Sequence, residues 1–152
     1  MSVDMEIIKK LREETGAGIL EVKKTLDSVN GDEKQARDIL MAKVSEKAAK
    51  KADRETKDGL IFSYLHAGGR IGSFVSLACE TDFVAKTDAF LDLGKNIAMQ
   101  ICTEDYPDNE ALLSAEYIRD PSKSINDLIK EATAKVGEKI EILKFTKYVV
   151  GE

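Results

Sequence analysis

The first 45 residues repeat apolar positions at the spacing of an α-helix, in three stretches separated by turns. Ile7, Ile8 and Leu11 share one helical face, and this face ends at Gly16, the residue type best able to take the left-handed conformation after a helix. The pair Asn30-Gly31 interrupts the pattern again. The stripes of the second and third helices contain Ile19, Val22, Leu26 and Val29, and then Ala36, Ile39, Leu40 and Val44.

The third helix carries a capping signal, with Asp32 expected to cap it and Gln35 expected to return a hydrogen bond. Three short helices with tight turns predict a domain over residues 1–45, close to the smallest size at which chains fold alone. Residues 43–57 contain six basic and three acidic residues, and Val44 is the only large apolar one. This composition predicts an exposed, basic helical linker over residues 46–57.

From residue 58 the period changes to that of β-strands. β-branched and aromatic residues flank Ala67-Gly68-Gly69, which predicts a β-hairpin. Alternate residues of its second strand are apolar on both faces, so we expect both faces to be partly covered and a helix to pack on one. One face has Ile71, Val75, Leu77 and Cys79, and the other has Phe74 and Ala78.

The rest of the chain predicts a helix, a loop, a helix and a strand. Phe90, Leu93, Ile97 and Ile101 form one helical stripe, and the proline-containing, acidic stretch 103–121 is typical of a loop. Ser122 or Ser124 is expected to cap a last helix, whose apolar face is Ile125, Leu128, Ile129, Ala132 and Val136. Gly137 ends that helix, and residues 140–150 predict a closing strand in the same sheet. The fold class is therefore α+β, with a three-helix domain, a linker, and an α/β core over residues 58–152.

Composition limits the chemistry of the 152-residue chain, which is 43% hydrophobic and 34% charged. Residues 1–57 have a net charge of +1 and residues 58–152 of −6, which argues against nucleic acid as a partner. We expect no membrane contact and a cytoplasmic location, since no apolar run reaches the roughly 20 residues of a membrane span and Met1–Asp4 begins no signal peptide. Cys79 and Cys102 are interpreted as reduced core thiols, and a single histidine, His66, supplies little for metal binding or catalysis.

Two readings of the residues after the second strand stay open on the pattern alone. Glu80 and Asp82 could be paired carboxylates or metal ligands, but no third ligand is identifiable. Alternatively, Thr81 or Asp82 caps the helix running toward Cys102, and Phe83 packs beneath its first turn. The pattern favours this structural reading, and it favours a surface or turn role for His66.

Four segments resemble elongation factor Ts, the guanine-nucleotide exchange factor for elongation factor Tu. They are LREETGAGILEVKKTL at 11–26, NGDEKQA at 30–36, ETDFVAKTDAF at 80–90 and KVGEKI at 135–140, in the family's order. The resemblance implies a ubiquitin-associated-like N-terminal domain that docks on the GTPase, followed by an α/β core with a three-stranded antiparallel sheet. It implies no enzyme activity and no cofactor or metal of the chain's own.

The resemblance also assigns candidate contacts with elongation factor Tu, in its GDP-bound and nucleotide-free forms. Arg12, Ile19 and Leu20 match the docking motif, although the helical stripe places Ile19 in the core. Within Thr81, Asp82, Phe83 and Val84, the acid and the aromatic residue are expected to press near the partner's magnesium site and loosen GDP. His66 matches a partner-contacting segment that long family members carry in a second core half.

Because both segments lie in one half here, the sequence is similar to short, single-core members that pair two chains, and we expect a homodimer. The chain departs from the usual short form, since a long helical stretch is reduced to the residues around Tyr106–Tyr117. The alternative is a ubiquitin-associated-type binding module with a non-catalytic α/β tail, in which Asp82 and Phe83 do nothing. A small enzyme using Glu80, Asp82 and His66 is the third hypothesis.

Overall fold

A computed structural model describes residues 4–152 and has the predicted mixture of helices and antiparallel sheet. Three helices come first and a three-stranded sheet and a two-stranded sheet follow; three of the later helices contact the larger sheet, and the last helix packs on other helices. The elements are α1 (Met5–Thr15), α2 (Ile19–Ser28), α3 (Glu33–Lys50), β1 (Asp58–His66), β2 (Ile71–Cys79), α4 (Asp82–Ala85), α5 (Asp88–Ile101), α6 (Asn109–Ser114), β3 (Glu116–Tyr117), β4 (Asp120–Ser124), α7 (Ile125–Val136) and β5 (Glu141–Val149).

The N-terminal helices confirm most of the predicted pattern. Gly16 ends α1 with φ of 76°, and Asn30 and Gly31 turn the chain with φ of 54° and 81°. Only glycine takes such angles at no steric cost, and asparagine is the next most tolerant residue type. The three helices enclose a small core made of Ile8, Leu11, Ala17, Val22, Leu26, Ala36 and Leu40.

Three details of this region differ from expectation. Asp32 caps α3 by accepting a hydrogen bond from the Gln35 backbone N–H at 3.1 Å. Its own N–H donates to the carbonyl oxygen of Val29, so this cap lacks the predicted return bond to the Gln35 side chain. Ile39 is 37% exposed at the edge of its stripe. The helix continues through residue 45 to Lys50, and residues 51–57 contain no helix or strand, so the linker is helical only at its start.

The main sheet has the antiparallel order β1-β2-β5, which confirms the hairpin and the closing strand. Its inner face is covered by α5, on which α7 packs in turn, and supplies Phe62, Val75, Leu77, Cys79 and Ile142 to the larger core. The outer face differs from expectation because Phe74 is 52% exposed there, and only Ala78 of the predicted pair is buried. We call Ile61, Leu65, Phe74, Leu143 and Tyr148, each more than half exposed, the open face.

The prediction of a loop over residues 103–121 is wrong, because this stretch contains α6, β3 and the start of β4. Gln100, which is buried in α5, organises it through its side-chain amide. The amide nitrogen donates to the Glu116 carbonyl and the Tyr106 hydroxyl, both at 3.0 Å, and the amide oxygen accepts from the Ile118 N–H at 3.0 Å. Asp108 caps α6, and Leu112 is fully buried in the core.

The helical N-terminal unit packs directly on α7. A Cβ at Gly16 would collide with the carbonyl oxygen of Glu131, so glycine permits the close approach of the α1–α2 turn. Lys123 donates to the carbonyl of Glu14 at 3.1 Å and forms an ion pair at 2.8 Å with the buried carboxylate of Glu131. A division at residue 45 stays a proposal. Within residues 4–152, no helix is long and apolar enough to cross a membrane.

Candidate functional site

The strand-to-helix corner after β2 is formed by Glu80, Thr81 and the four-residue helix α4. Thr81 caps α4 by accepting from the Val84 N–H, and Thr87 separately caps α5 by accepting from the Phe90 N–H. The predicted single helix toward Cys102 is therefore wrong, since a second cap restarts the helix at Asp88. The break leaves α4 as a separate turn at the end of the sheet.

The side chains of α4 divide sharply between solvent and core. Phe83 is 79% exposed, and the Asp82 side chain is 74% exposed and 3.8 Å from Lys86. Val84 and Ala85 are only 5% and 4% exposed and pack in the main core. The expectation that Phe83 packs beneath the helix is wrong, because the inward positions of this short helix belong to its two neighbours.

The two carboxylates once considered as a pair have separate partners. Glu80 accepts from the Lys139 N–H at 2.6 Å and lies 3.4 Å from Arg54, whereas Asp82 is held only loosely by Lys86 in the solvent. Within residues 4–152, no group of three His, Cys, Asp or Glu side chains is placed to hold a metal ion.

Cys79 lies directly behind the corner and is a free, fully buried thiol. Burial raises its pKa, and the nearby Glu138 carboxylate raises it further, so the thiol stays protonated. Its Sγ donates to the Thr81 carbonyl at 3.1 Å. Cys102 is also free and buried, so both cysteines lie in the core as expected.

The predicted docking residues flank the α1–α2 turn. Leu20 is 78% exposed, Ile19 is 37% exposed, and Arg12 is exposed in the last turn of α1. The structure thus corrects the placement of Ile19 in the core, since the first residue of α2 lies at the rim of the helical unit. All three residues lie within four positions of Gly16 along the chain, and Gly16 is where this turn meets α7.

His66 lies at the other end of the main sheet from Phe83. It ends β1, opposite Ile71 at the start of β2, whereas the corner follows the end of β2. Eight residue steps at about 3.3 Å separate the two ends of β2 by roughly 26 Å. His66 is exposed, as its turn position predicts, and its Nδ1 is 3.4 Å from the Tyr64 hydroxyl. One chain therefore does not bring His66 and the corner together.

Glu138 is the residue at this site that the sequence pattern missed. Its carboxylate contacts the backbone of the corner from the turn between α7 and β5. Its segment KVGEKI carries little information alone, and its partners lie 57 and 58 positions earlier in the chain. They meet because β5 pairs with β2, and only the strand order could have indicated this contact.

Comparisons with known proteins agree with this architecture. The sequence profile of the family described as Elongation factor TS matches residues 80–152, which include the corner and Glu138. Elongation factor Ts from Thermotoga maritima is 38% identical over 195 aligned positions, which include 100% of this chain and 98% of that protein. The chain belongs to the elongation factor Ts family. The elongation factor Ts of Thermotoga neapolitana is 39% identical, with 100% and 99% of the two chains covered.

The family members differ in length. The alignment with the Thermotoga maritima elongation factor Ts has 195 positions and the chain has 152 residues, so at least 43 positions have no residue of this chain. The elongation factor Ts of Aquifex aeolicus is 43% identical over 97% of this chain, but only 53% of that protein is covered. The chain therefore spans nearly all of the Thermotoga protein and about half of the Aquifex one.

Proposed function

We propose that this protein is the guanine-nucleotide exchange factor for elongation factor Tu and that it acts through Asp82 and Phe83. The observation that carries the proposal is the exposure of Phe83, 79%, on a helix whose next two residues are buried. Binding through an exposed aromatic side chain on a firmly held element is favourable, because its burial lowers the free energy and the backbone loses little entropy.

In this proposal the N-terminal helices dock first on the GTPase, through Arg12 and Leu20. The corner then presses Asp82 and Phe83 near the magnesium site of the partner. Burying a phenylalanine side chain releases roughly 1.5–3 kcal/mol, which can be used to disorder the nucleotide pocket and release GDP. No group of this chain reacts, so the protein acts by binding and not as an enzyme.

The direction of exchange follows from thermodynamic linkage. If the factor weakens GDP binding by some ratio, GDP weakens factor binding by the same ratio. Incoming GTP or GDP therefore displaces the factor from nucleotide-free elongation factor Tu. The factor accelerates loading, and the nucleotide concentrations decide which nucleotide is loaded.

The test is release of a fluorescent GDP analogue from the cognate elongation factor Tu in the presence of magnesium. We expect acceleration by the wild-type protein and a large loss in the Asp82→Ala/Phe83→Ala variant. Both side chains are exposed, so the variant should fold normally, which far-UV circular dichroism and thermal melting would verify. Absence of acceleration by well-folded wild type would refute the proposal, and full partner binding by the α1–α3 unit alone would favour the binding-module alternative.

We further propose that two chains pair through the open face of the main sheet. Five large apolar side chains of this face are left in solvent on one side of three strands, and such patches mark interaction surfaces. A second copy of the chain is the occupant we favour, because His66 and Phe83 lie at opposite ends of β2 and one partner contacts both in long family members. A symmetric dimer would supply the two groups from different chains.

Mixed dimers test this arrangement. Phe83→Ala and His66→Ala chains would be unfolded together, refolded together and assayed for GDP release. If each partner molecule uses Phe83 of one chain and His66 of the other, a mixed dimer keeps one intact site of two, and about a quarter of wild-type sites should return. A monomeric mass at working concentrations, or no gain over the separate variants, would refute the dimer proposal.

A further inference from the structure

The corner that carries Asp82 and Phe83 is held by a carboxylate from a distant part of the chain. Glu138 accepts three hydrogen bonds from it: Oε1 from the backbone N–H groups of Glu80 at 3.2 Å and Thr81 at 3.0 Å, and Oε2 from the Thr81 hydroxyl at 2.8 Å. Hydrogen bonds to an ionised acceptor are roughly twice as strong as neutral ones. The last two residues before α4 are therefore fixed against the α7–β5 turn.

The Thr81 hydroxyl connects this contact to α4 itself. It donates a hydrogen bond to Glu138 and accepts one at 3.4 Å from the Val84 N–H. This N–H is one of the backbone donors left free at a helix start. Since the proton points at the carboxylate, a lone pair is free for Val84. Glu138 thus sets the orientation of the cap that begins the helix bearing Phe83.

A reciprocal contact closes the arrangement. The Glu80 carboxylate accepts from the Lys139 N–H at 2.6 Å and receives Arg54 at 3.4 Å, and Arg54 also donates to the Gly137 carbonyl at 3.4 Å. Each of the two segments therefore offers a carboxylate to the backbone of the other. A shift of the corner would break several bonds at once.

We propose that Glu138 is a positioning residue for nucleotide exchange, a role that rests on the proposed function. It contacts neither the partner nor the nucleotide, but it holds the corner in the geometry in which Phe83 can enter the partner. Because Thr81 is exposed, water can replace the lost hydrogen bonds when Glu138 is removed. Removing Glu138 should therefore lower the local order of the corner and the rate of nucleotide exchange, and leave the global stability nearly unchanged.

The proposed experiment compares Glu138→Ala with Glu138→Gln and a matched control. Alanine removes all three bonds, whereas the glutamine carbonyl can still accept from the two backbone N–H groups that share Oε1. Glu46→Ala is the control, because Glu46 is exposed on α3 and its side chain forms no hydrogen bond or ion pair within residues 4–152. All variants would be tested as the full chain.

Three quantities are measured: amide hydrogen exchange at Glu80, Thr81 and Val84, thermal melting, and GDP-analogue release at a series of factor concentrations. For Glu138→Ala we expect the corner amides to exchange at least about tenfold faster, a local loss of about 1.4 kcal/mol. We expect a similar fall in the maximal release rate, with little change in the half-saturating concentration, since Arg12 and Leu20 dock independently. Glu138→Gln should recover part of both effects, and Glu46→Ala should behave as wild type.

The outcomes separate this inference from the proposed function. Unchanged protection of the corner amides in Glu138→Ala would overturn the inference without any use of elongation factor Tu. If Glu138→Ala accelerates GDP release normally while Asp82→Ala/Phe83→Ala does not, the inference would also be overturned and the proposed function would stay intact. Absence of acceleration by wild type would overturn both. A large fall in melting temperature would overturn the positioning role in favour of a structural one.

Discussion

Replacing Phe83 alone by alanine separates folding from exchange more cleanly than any other single change. The side chain is 79% exposed, so truncation removes almost no packing from the free protein. We expect the free energy of unfolding to change by less than about 0.5 kcal/mol, as for other exposed positions. In the complex, burial of the phenylalanine side chain is worth about 1–2 kcal/mol more than burial of the alanine methyl group.

That energy corresponds to a roughly 5- to 30-fold loss in the second-order rate constant for GDP release. The loss should lie mainly in the maximal rate, because an interaction made only as the nucleotide pocket opens lowers the barrier without tightening initial docking. Stopped-flow release of a fluorescent GDP analogue at a series of factor concentrations measures both quantities. Ile118→Ala, which truncates another exposed apolar side chain on the β3–β4 hairpin, is the control.

Two results would refute this reasoning. A normal release rate in Phe83→Ala would show that the ring is not used in exchange. A drop of more than about 1 kcal/mol in the free energy of unfolding would show that the ring packs in the free protein. Phe83→Leu should recover most of the rate, because leucine keeps most of the apolar area that the proposal requires.

Three further predictions concern packing, charge and association. Gly94→Ala should lower the free energy of unfolding by about 1–3 kcal/mol in urea titrations despite better helix propensity, because the new Cβ would overlap the Phe62 ring. Lys123→Ala should cost about 3 kcal/mol at pH 7 by leaving the buried Glu131 carboxylate unpaired. Burial raises the pKa of Glu131, so the folded state binds the proton more tightly, and the deficit relative to Lys123→Ala/Glu131→Gln should shrink as pH falls through the raised pKa. Phe74→Glu on the open face should yield monomers in light scattering after size exclusion, and an unchanged mass would contradict pairing through that face.

The ends of α1 and α7 could be predicted because a single local requirement decides each of them. Gly16 and Gly137 end α1 and α7 with φ of 76° and 77°, and Ser124 forms a complete capping box with Asp127. Few residue types tolerate a positive φ or can pair with the free N–H groups at a helix start. The residue type alone therefore predicts these positions. The hairpin was predictable for the same reason, since Gly68 and Gly69 both turn with positive φ.

The stretch 103–121 could not be predicted because its structure depends on contacts far along the chain. Strands of two and five residues have too little periodicity to recognise, and the amide of Gln100 holds them in place. Pro121 argued for a loop, but β4 pairs only with β3 in a two-stranded sheet, where an edge position tolerates proline. The local signal that could have been used was Asp108, the cap of α6.

The candidate site also contains residues that could be predicted from the sequence and residues that could not. Its exposed groups, Phe83 and Leu20, were identified through the family resemblance, since an isolated aromatic residue after a strand is more often buried. Phe83 is exposed and Val84 is buried because a second helix begins after Thr87. The prediction of one continuous helix did not include this second start. Glu138 depends on strand order, which no local pattern contains.

The short connection before α7 is compatible with the proposed exchange geometry, because both contact surfaces are fixed to α7 itself. The α1–α2 turn abuts the middle of α7 at Glu131, and Glu138, two residues after the end of the helix, holds the corner. The second half of α7, from Glu131 to Val136, therefore separates the proposed docking residues from the corner by five residue steps, about 8 Å of helix. Gln100 and Asn109 bind the segment 103–121 back onto α5 and β5, so the proposed spacing does not depend on its length. A chain with fewer residues than its relatives can thus keep the spacing on which the proposed mechanism depends.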